Sequence, residues 1–261
     1  MKIKIYQIDA FSDQVFRGNP AAVCILDYWL DESTMQLIAA ENNLAETAFV
    51  VKEGKNYAIR WFTPNTEVDL CGHATLAAAH VLFKYYHYKS STIKFDTKKS
   101  GILIVRKDRK KIELDFPADQ IEKVATPDIL VKALGCKPIE TYKGKTDYML
   151  IFDAQSTIEL LKPDFRLLNK IKARGIIVSA KGEIVDFVSR FFAPQVGIDE
   201  DPVTGSAHTT LAPYWANKLN KTALKAQQLS KRKGELECVW DGDRVKISGH
   251  AVTYLIGEIE F

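Results

Sequence analysis

Two stretches of this 261-residue chain repeat one another: RWFTPNTEVDLCGHATLAAAH at residues 60–80 and RFFAPQVGIDEDPVTGSAHTTLAP at residues 190–213. Each stretch has an Arg-aromatic-Phe-x-Pro pentapeptide, a short acidic loop, a glycine, and then a segment rich in alanine and threonine that predicts a helix. Upstream of each copy the same elements are expected in the same order. They are a helix capped by Asp31 or Asp164, an apolar strand, a turn, and the strand that ends in the pentapeptide.

The repeat predicts two homologous halves of similar size. We place them at residues 1–118 and 119–261, with the last strand free to return to the first half. Strand-like alternation is more frequent along the chain than helical periodicity, so an α+β class is expected. Each half is expected to be a sheet with a helix packed on it.

Composition excludes several other classes of protein. The chain is 46% hydrophobic and 26% charged with a formal net charge of +3, which argues against disorder and against nucleic-acid binding. No apolar run approaches the roughly 20 residues that span a bilayer, so no transmembrane helix is expected. The first residues alternate polar and apolar, which argues against a signal peptide. Four cysteines without CxxC spacing favour free thiols in a reducing compartment, so a cytoplasmic location is expected.

The two predicted helix starts are candidate binding sites for a small carboxylate substrate. Gly72 and Gly205 lie at equivalent positions, and Ser206 aligns with His73. The first amide groups of a helix have no partner within the helix and carry partial positive charge, so they can hold a carboxylate or a developing oxyanion. Cys71, which directly precedes Gly72, is included among the candidate substrate-binding residues.

Three residues are candidates for acid–base work. Glu46 is an acid within the apolar strand LAETAFVV, and the matching strand RGIIVSA of the second half has none. A buried carboxylate has a raised pKa that suits proton transfer. Asp201, in the second acidic loop, and His73, at the first helix start, are expected to meet it in a cleft between the halves.

The sequence argues against a hydrolase dyad, a histidine metal site and a nucleotide-binding loop. Ser206 and His208 point about 200° apart on a helix, so they do not form a hydrolase dyad. His73 and His80 lie about 10 Å apart along the helix axis, so they do not share a metal. No phosphate-binding or dinucleotide-binding loop is present. We therefore expect no metal and no cofactor.

Two alternatives to proton transfer by Glu46, His73 and Asp201 remain open. The first is a thiol-assisted epimerase or racemase that uses Cys71, although its mirrored position is Thr204, whose hydroxyl is too weak an acid to match a thiolate. The second is a protein that binds a small molecule in the same cleft without catalysis.

Four motifs together carry a resemblance that spans nearly the whole chain: GNPAAVC, NNLAETAFV, FTPNTEVDLCGHATLAAA and RFFAPQVGIDEDPVTGSAHTTLAPYW. They resemble the phenazine-biosynthesis PhzF-like family of the diaminopimelate-epimerase-like fold. The resemblance implies two pseudo-symmetric domains, each a sheet curled around a central helix, with the active site between them. It also implies a homodimer and no cofactor.

The family resemblance also implies roles for individual residues. Its best-understood member looks like an isomerase of a dihydro-hydroxyanthranilate, in which a glutamate moves a proton between ring carbons. By motif, that glutamate corresponds to Glu46 here, and His73, Asp201 and Ser206 match its other site residues. Cys71 and His208 depart from the phenazine enzyme and look like the broader branch of the family.

Overall fold

In the computed structural model, which describes residues 1–261, the chain divides into two units. Unit 1 comprises Met1–Asp115 and Ser248–Phe261, and unit 2 comprises Phe116–Ile247. The strands and helices are numbered in chain order. None of the helices has both the length and the apolar character that crossing a bilayer requires.

Unit 1 is built on nine strands and two helices. The strands are β1 Lys2–Ala10, β2 Asn19–Leu26, β3 Glu46–Glu53, β4 Asn56–Phe62, β5 Glu67–Val68, β6 Thr92–Thr97, β7 Ile102–Asp108, β8 Lys111–Pro117 and, from the end of the chain, β17 Ala251–Glu260. The helices are α1 Glu32–Asn42 and α2 Gly72–Tyr85.

Unit 2 is built on eight strands and four helices. The strands are β9 Glu122–Lys123, β10 Glu140–Lys143, β11 Asp147–Ile151, β12 Gly175–Lys181, β13 Phe187–Phe192, β14 Ala223–Gln228, β15 Gly234–Asp241 and β16 Arg244–Gly249. The helices are α3 Asp128–Leu134, α4 Gln155–Leu160, α5 Phe165–Leu168 and α6 Gly205–Leu219, with a 3-10 turn at Pro194–Val196.

The two units share one order of strand pairing. In unit 1, β1–β2 and β3–β4 are antiparallel, whereas β2–β3 and β4–β6 are parallel. In unit 2, β10–β11 and β12–β13 are antiparallel, whereas β11–β12 and β13–β14 are parallel. Each parallel step is bridged by helix, as parallel neighbours require. The α+β class and the pseudo-symmetric halves expected from the sequence are confirmed.

The equivalent helices α2 and α6 lie in the core of their units. Ten of the fourteen residues of α2 are buried, and the helix packs on β1, β2 and β3. Because α1 packs on the other face of this sheet through Met35 and Ile38, strands β2 and β3 read as continuous apolar runs. In unit 2, α6 has nine of fifteen residues buried and packs on β14 and β15.

The repeated pentapeptide has a structural explanation in its arginine. Arg60 pairs with both carboxylate oxygens of Glu67, at 2.7 and 2.8 Å, and its guanidinium lies 5.2 Å from the ring centre of Phe62. Arg190 pairs in the same way with Glu200, at 2.7 and 3.0 Å. In each unit the arginine of a strand therefore holds the acidic loop that leads to the buried helix.

The two aspartates expected to cap helices behave differently. Asp164 accepts hydrogen bonds from the amides of Arg166 and Leu167 at the start of α5, as predicted. Asp31 occupies the N-cap position of α1, but its exposed carboxylate makes no capping hydrogen bond, and only its carbonyl accepts from Met35. The prediction that the Asp31 side chain caps α1 is therefore wrong, although α1 begins at Glu32 as expected.

The helix that Asp164 was expected to cap is short. It is α5, and it ends at Leu168. The amides of Lys170 and Ile171 bond to carbonyls three residues back, which gives tight turns instead of α-helix. Helix α4, just upstream, was not predicted at all.

Candidate active site

The first group of candidate residues lies where β3 and α2 begin. Glu46 is the first residue of β3 and pairs with Ala21 in the parallel step to β2. Cys71 is the N-cap residue of α2, with an extended φ of −141°, and Gly72 and His73 form the first turn. Two element ends thus bring a carboxylate, a thiol and an imidazole together.

Glu46 and His73 form a buried acid–base pair. Oε2 of Glu46 lies 3.1 Å from Nε2 of His73, and the two side chains are only 13% and 7% exposed. Their orientation does not meet hydrogen-bond geometry, and neither buried atom has another hydrogen-bond partner. Both atoms are therefore able to hydrogen-bond to a third group, such as a substrate.

The protonation states at this site follow from burial and from the carboxylate. Burial raises the pKa of the Cys71 thiol, and the nearby Glu46 carboxylate raises it further, so the thiol is neutral near neutral pH. Burial opposes the positive charge of His73, but the neighbouring Cys71 and Glu46 outweigh burial and raise the pKa of His73 well above the ordinary range.

The imidazole ring is held from its other nitrogen. Nδ1 of His73 lies 3.5 Å from Sγ of Cys71 and 3.3 Å from the amide nitrogen of Asn19. The hydroxyl of Thr75 donates to the Cys71 carbonyl at 2.6 Å, which holds the N-cap residue against the helix. These contacts orient the ring so that Nε2 is directed at Glu46.

Sequence reasoning assigned no role to Asn19, although it lies in the quoted motif GNPAAVC. Gly18 has a φ of +67°, and a Cβ there would lie 2.2 Å from the carbonyl oxygen of Ala10. Only glycine fits this position, and it delivers the fully buried Asn19 to the start of β2. The Gly-Asn pair before a strand was the signal available in the sequence.

The second group lies at the start of α6 in unit 2. Thr204 is the N-cap residue, and its hydroxyl donates to the carboxylate of Asp201 at 2.5 Å. Gln228 accepts from the Thr204 amide and donates to the Asp201 carbonyl, both at 2.8 Å. The predicted residues Asp201, Gly205 and Ser206 thus share one helix start, which is held by a glutamine from β14.

Arg174 is a further residue of this group that the sequence did not single out. Its Nη1 donates to the Ser206 hydroxyl at 3.0 Å, while Nε donates to Asp147 at 2.9 Å and Nη2 bonds to the second carboxylate oxygen. Arg174 directly precedes Gly175, the residue that mirrors Glu46 in the repeat. Unit 2 therefore has an arginine–aspartate pair near the position where unit 1 has its catalytic candidate.

His208 has a structural place in the helix. Nδ1 of its fully buried ring donates to the Thr204 carbonyl at 2.8 Å, the role that the Thr75 hydroxyl has in unit 1. Ser206 instead accepts from Arg174, so Ser206 and His208 form no dyad. Burial lowers the pKa of His208 to about 4, and the ring is neutral near neutral pH.

A pH dependence of stability follows from this buried ring. The pKa of His208 in the folded state lies below the value near 6.5 of the unfolded state, so the unfolded chain binds a proton first as the pH falls. The contribution of His208 to the free energy of unfolding is therefore complete above about pH 6.5 and is lost as the pH falls toward 4. We expect the loss to reach about 3 kcal/mol for this residue. In His208→Gln, the fall in unfolding free energy between about pH 7 and about pH 4.5 should be smaller by about that amount.

Urea denaturation at the two pH values measures this effect. His80, whose pKa is also lowered to about 4 by burial, remains in the variant and supplies its own acid dependence. The matched variant His80→Gln should remove the part of the acid dependence of stability that His80 contributes. An unchanged acid dependence in His208→Gln would contradict the neutral buried ring.

The structure brings the predicted residues together in two sets. Glu46, Cys71, Gly72 and His73 form one set in unit 1, and the second set is at the start of α6 in unit 2. The expected meeting of His73 with Asp201 stays a prediction.

The fold and this site define the class of protein. Two halves of one topology, each with a buried helix, are the architecture of the epimerase-like fold, and unit 1 has a buried carboxylate–imidazole pair at the start of its helix. The chain belongs to the phenazine biosynthesis-like (PhzC-PhzF) family, whose family model matches residues 8–257.

Similar proteins agree with this family. An uncharacterized isomerase of Pseudomonas aeruginosa is 52% identical over 259 residues, with 99% of each chain covered. The solved structure of a PhzF-family phenazine biosynthesis protein from Enterococcus faecalis is 48% identical, covers all of both chains and superposes with a TM-score of 0.98. The expected enzyme class, an isomerase, is confirmed.

A more distant structure shows the fold alone. A hydroxyproline epimerase from Agrobacterium vitis has a TM-score of 0.65 at 10% identity, covering 99% of this chain and 92% of that one. The epimerase-like fold expected from the sequence, with its curled sheets around central helices, is confirmed.

Proposed function

We propose that this chain is a cofactor-independent isomerase that moves a proton within a small carboxylate substrate. The observation that carries the proposal is the buried pair of Glu46 and His73, whose facing atoms lie 3.1 Å apart and lack other hydrogen-bond partners. A carboxylate held out of water beside a protonated imidazole suits the removal of a proton from an activated carbon.

Each residue of the site has a distinct part in the proposed reaction. The Glu46 carboxylate takes the proton from one carbon and returns it to another. The His73 imidazolium hydrogen-bonds to the substrate oxygen on which negative charge develops, because its Nε2 has no other partner. The amides at Gly72 and His73 bind the substrate carboxylate or the enolate.

We also assign roles in the reaction to residues of the second half. Asp201 relays protons, and Gly205 and Ser206 bind a carboxylate group of the substrate. Support comes from the equivalence of the helix starts in the two halves and from Arg174, whose positive charge lies 3.0 Å from the Ser206 hydroxyl.

Distances argue against an epimerase that uses Glu46 and Cys71 as its two bases. Two bases on opposite faces of one carbon, each about 3–3.5 Å from it, lie about 6–7 Å apart. One atom each of Glu46, Cys71 and His73 lies within 4.8 Å of the other two. Glu46 and Cys71 are therefore too close together to act on opposite faces of one carbon, which favours removal and return of the proton by Glu46.

Replacement of Cys71 by serine separates these reactions. In Cys71→Ser, we expect proton exchange to fall by no more than about tenfold, because Glu46 remains the base and a neutral thiol only lines the site. A thiol-dependent epimerase should instead lose about a hundredfold or more. Exchange of substrate protons with deuterated solvent, followed by NMR, measures the difference.

A screen of carboxylates tests the proposed function directly. Thermal-shift measurements on cyclic and amino-acid carboxylates identify binders, and incubation of each hit in deuterated water shows whether a carbon-bound proton exchanges. Exchange supports the isomerase. A hit that stabilises the protein without any exchange is a ligand of the site but not a substrate for proton transfer.

We further propose that the protein forms a homodimer and is located in the cytoplasm. A homodimer is supported by the apolar residues that β17 exposes, Tyr254, Leu255 and Ile256, close to the exposed Phe16. Light scattering of the purified protein measures its mass. The cytoplasm is supported by four cysteines that are all free.

A further inference from the structure

The two units differ at the ends of the mirrored strands β6 and β14. Thr97 is the last residue of β6 and Gln228 is the last residue of β14. Each pairs with the residue directly before the repeated arginine, Thr97 with Ile59 and Gln228 with Ser189. The Thr97 hydroxyl donates to the carbonyl of Gly101 in its own turn, at 2.8 Å. Gln228 is instead fully buried and bonds to the loop that precedes α6.

The side-chain amide of Gln228 fits its neighbours in one orientation only. Its oxygen lies 2.8 Å from the backbone nitrogen of Thr204, which can only donate, and its nitrogen lies 2.8 Å from the carbonyl oxygen of Asp201, which can only accept. A flipped amide would place donor against donor and acceptor against acceptor. Two backbone groups therefore fix which end of the Gln228 amide donates.

The orientation of this amide sets the direction of the Thr204 hydroxyl. The Gln228 nitrogen also donates to Oγ1 of Thr204, at 3.2 Å. A hydroxyl has a single proton, and Oγ1 lies 2.5 Å from Oδ2 of Asp201. The Thr204 proton is therefore donated to Asp201, over a distance typical of a hydrogen bond to a charged oxygen.

The backbone of this loop is anchored by other contacts as well. The amide of Asp201 donates to the carbonyl of Phe191 at 3.0 Å, and the Ser230 hydroxyl donates to the carbonyl of Pro202 at 2.8 Å. These bonds hold the path of the chain without help from the Thr204 hydroxyl. What the hydroxyl adds is a hold on the side chain of Asp201.

We infer that Gln228 is a positioning residue for Asp201. Acting through the Thr204 hydroxyl, it holds the Asp201 side chain in one rotamer. A hydrogen bond donated to a carboxylate also favours the ionised form, which is the form that takes up a proton. The inference rests on the proposed function, in which Asp201 relays protons. It assigns this role to unit 2 alone, since Thr97 bonds within its own turn.

Two substitutions test this positioning without any ligand. Gln228→Met keeps the length of the side chain but bonds to neither Thr204 nor Asp201, and Thr204→Val keeps the shape of threonine without its hydroxyl. In both variants we expect the Asp201 side chain to exchange among rotamers. The three-bond couplings from the backbone nitrogen and carbonyl carbon of Asp201 to its Cγ, measured by NMR on isotope-labelled protein, report this rotamer directly.

The neighbouring glutamine of β14 is the matched control. Gln227 is half-buried, and its side chain points to the opposite face of the strand from Gln228. Gln227→Met should leave the Asp201 couplings unchanged. Thermal unfolding verifies that each variant folds. If Gln228→Met does not fold, the couplings in Thr204→Val decide, because this variant keeps both backbone bonds of Gln228.

Proton exchange gives a second measurement. With the cyclic and amino-acid carboxylates of the screen in deuterated water, Gln228→Met and Thr204→Val should each lose about tenfold in exchange rate, whereas Gln227→Met should stay within about twofold of the parent. The double variant of Gln228 and Thr204 should lose little more than either single variant, because both act through one hydroxyl.

The outcomes separate this inference from the proposed function. A single Asp201 rotamer in folded Gln228→Met, exchange equal to that of the parent, or losses that multiply in the double variant would each overturn the role of Gln228. A parent that exchanges none of the carboxylates, or unchanged exchange in Glu46→Gln, overturns the isomerase assignment instead. In that case the Asp201 couplings still decide whether Gln228 positions this side chain.

Discussion

Replacement of Glu46 by glutamine is expected to reduce proton exchange into a turned-over carboxylate by about a hundred- to ten-thousandfold. Glutamine keeps the size of the side chain but cannot accept a proton. The change also removes one of the two groups that raise the pKa of His73, at 3.1 Å from its Nε2. One substitution therefore alters both members of the acid–base pair.

The matched control for this prediction is Glu41→Gln. Glu41 is an exposed residue of α1, close to Glu46 in sequence but without a contact to His73. We expect exchange in this variant to stay within about twofold of the parent. Circular dichroism and thermal unfolding verify that both variants fold, and comparable exchange rates in the two variants would rule out Glu46 as the base.

Replacement of Arg190 by leucine is expected to lower the free energy of unfolding by about 3 kcal/mol. Arg190 is only 12% exposed, and its loss leaves the partly buried Glu200 carboxylate unpaired. The same guanidinium donates to the carbonyls of Ile158 and Leu161 at the end of α4, at 3.1 and 2.9 Å. These carbonyls have no partner inside the helix, so the substitution removes an ion pair and two hydrogen bonds at once.

The equivalent arginine of unit 1 provides the control. Arg60 pairs with the carboxylates of Glu67 and of Glu32, the first residue of α1, and lowers the pKa of Glu67 by its hydrogen bonds, but it bonds to no carbonyl at the end of a helix. We expect Arg60→Leu to cost about 1–2 kcal/mol less than Arg190→Leu, because no buried carbonyls are stranded. Denaturant unfolding measures both values. Equal costs would show that the contacts to α4 contribute nothing.

The repeat explains why so much of the site was predictable from one sequence. Cys71 and Thr204 occupy the same N-cap position, and both helices start at the expected glycine. Glu46 was recognised because the matching strand of the second half, RGIIVSA, has no acid. Comparison of the two halves thus served as a small alignment within one chain.

Other residues could not be recognised in this way. Asn19 contacts His73 across 54 positions of sequence, and Arg174 reaches Ser206 across 32. Neither residue lies within a periodic pattern that marks it as functional. Helix α4 escaped prediction for a similar reason, since six residues are too few for a stable isolated helix and its last carbonyls are satisfied by Arg190 from a strand.

The sequence by itself determined the two homologous halves, the class of fold, the starts of the buried helices and the identity of the acid–base candidates. These features depend on local patterns: periodicity, turn residues and the internal repeat. Only the tertiary structure decided that Cys71 lies within 4.8 Å of Glu46, that His208 bonds to the N-cap carbonyl of its own helix and that Arg174 donates to Ser206. Such contacts depend on how separate strands and helices pack, and no pattern along the chain encodes those distances.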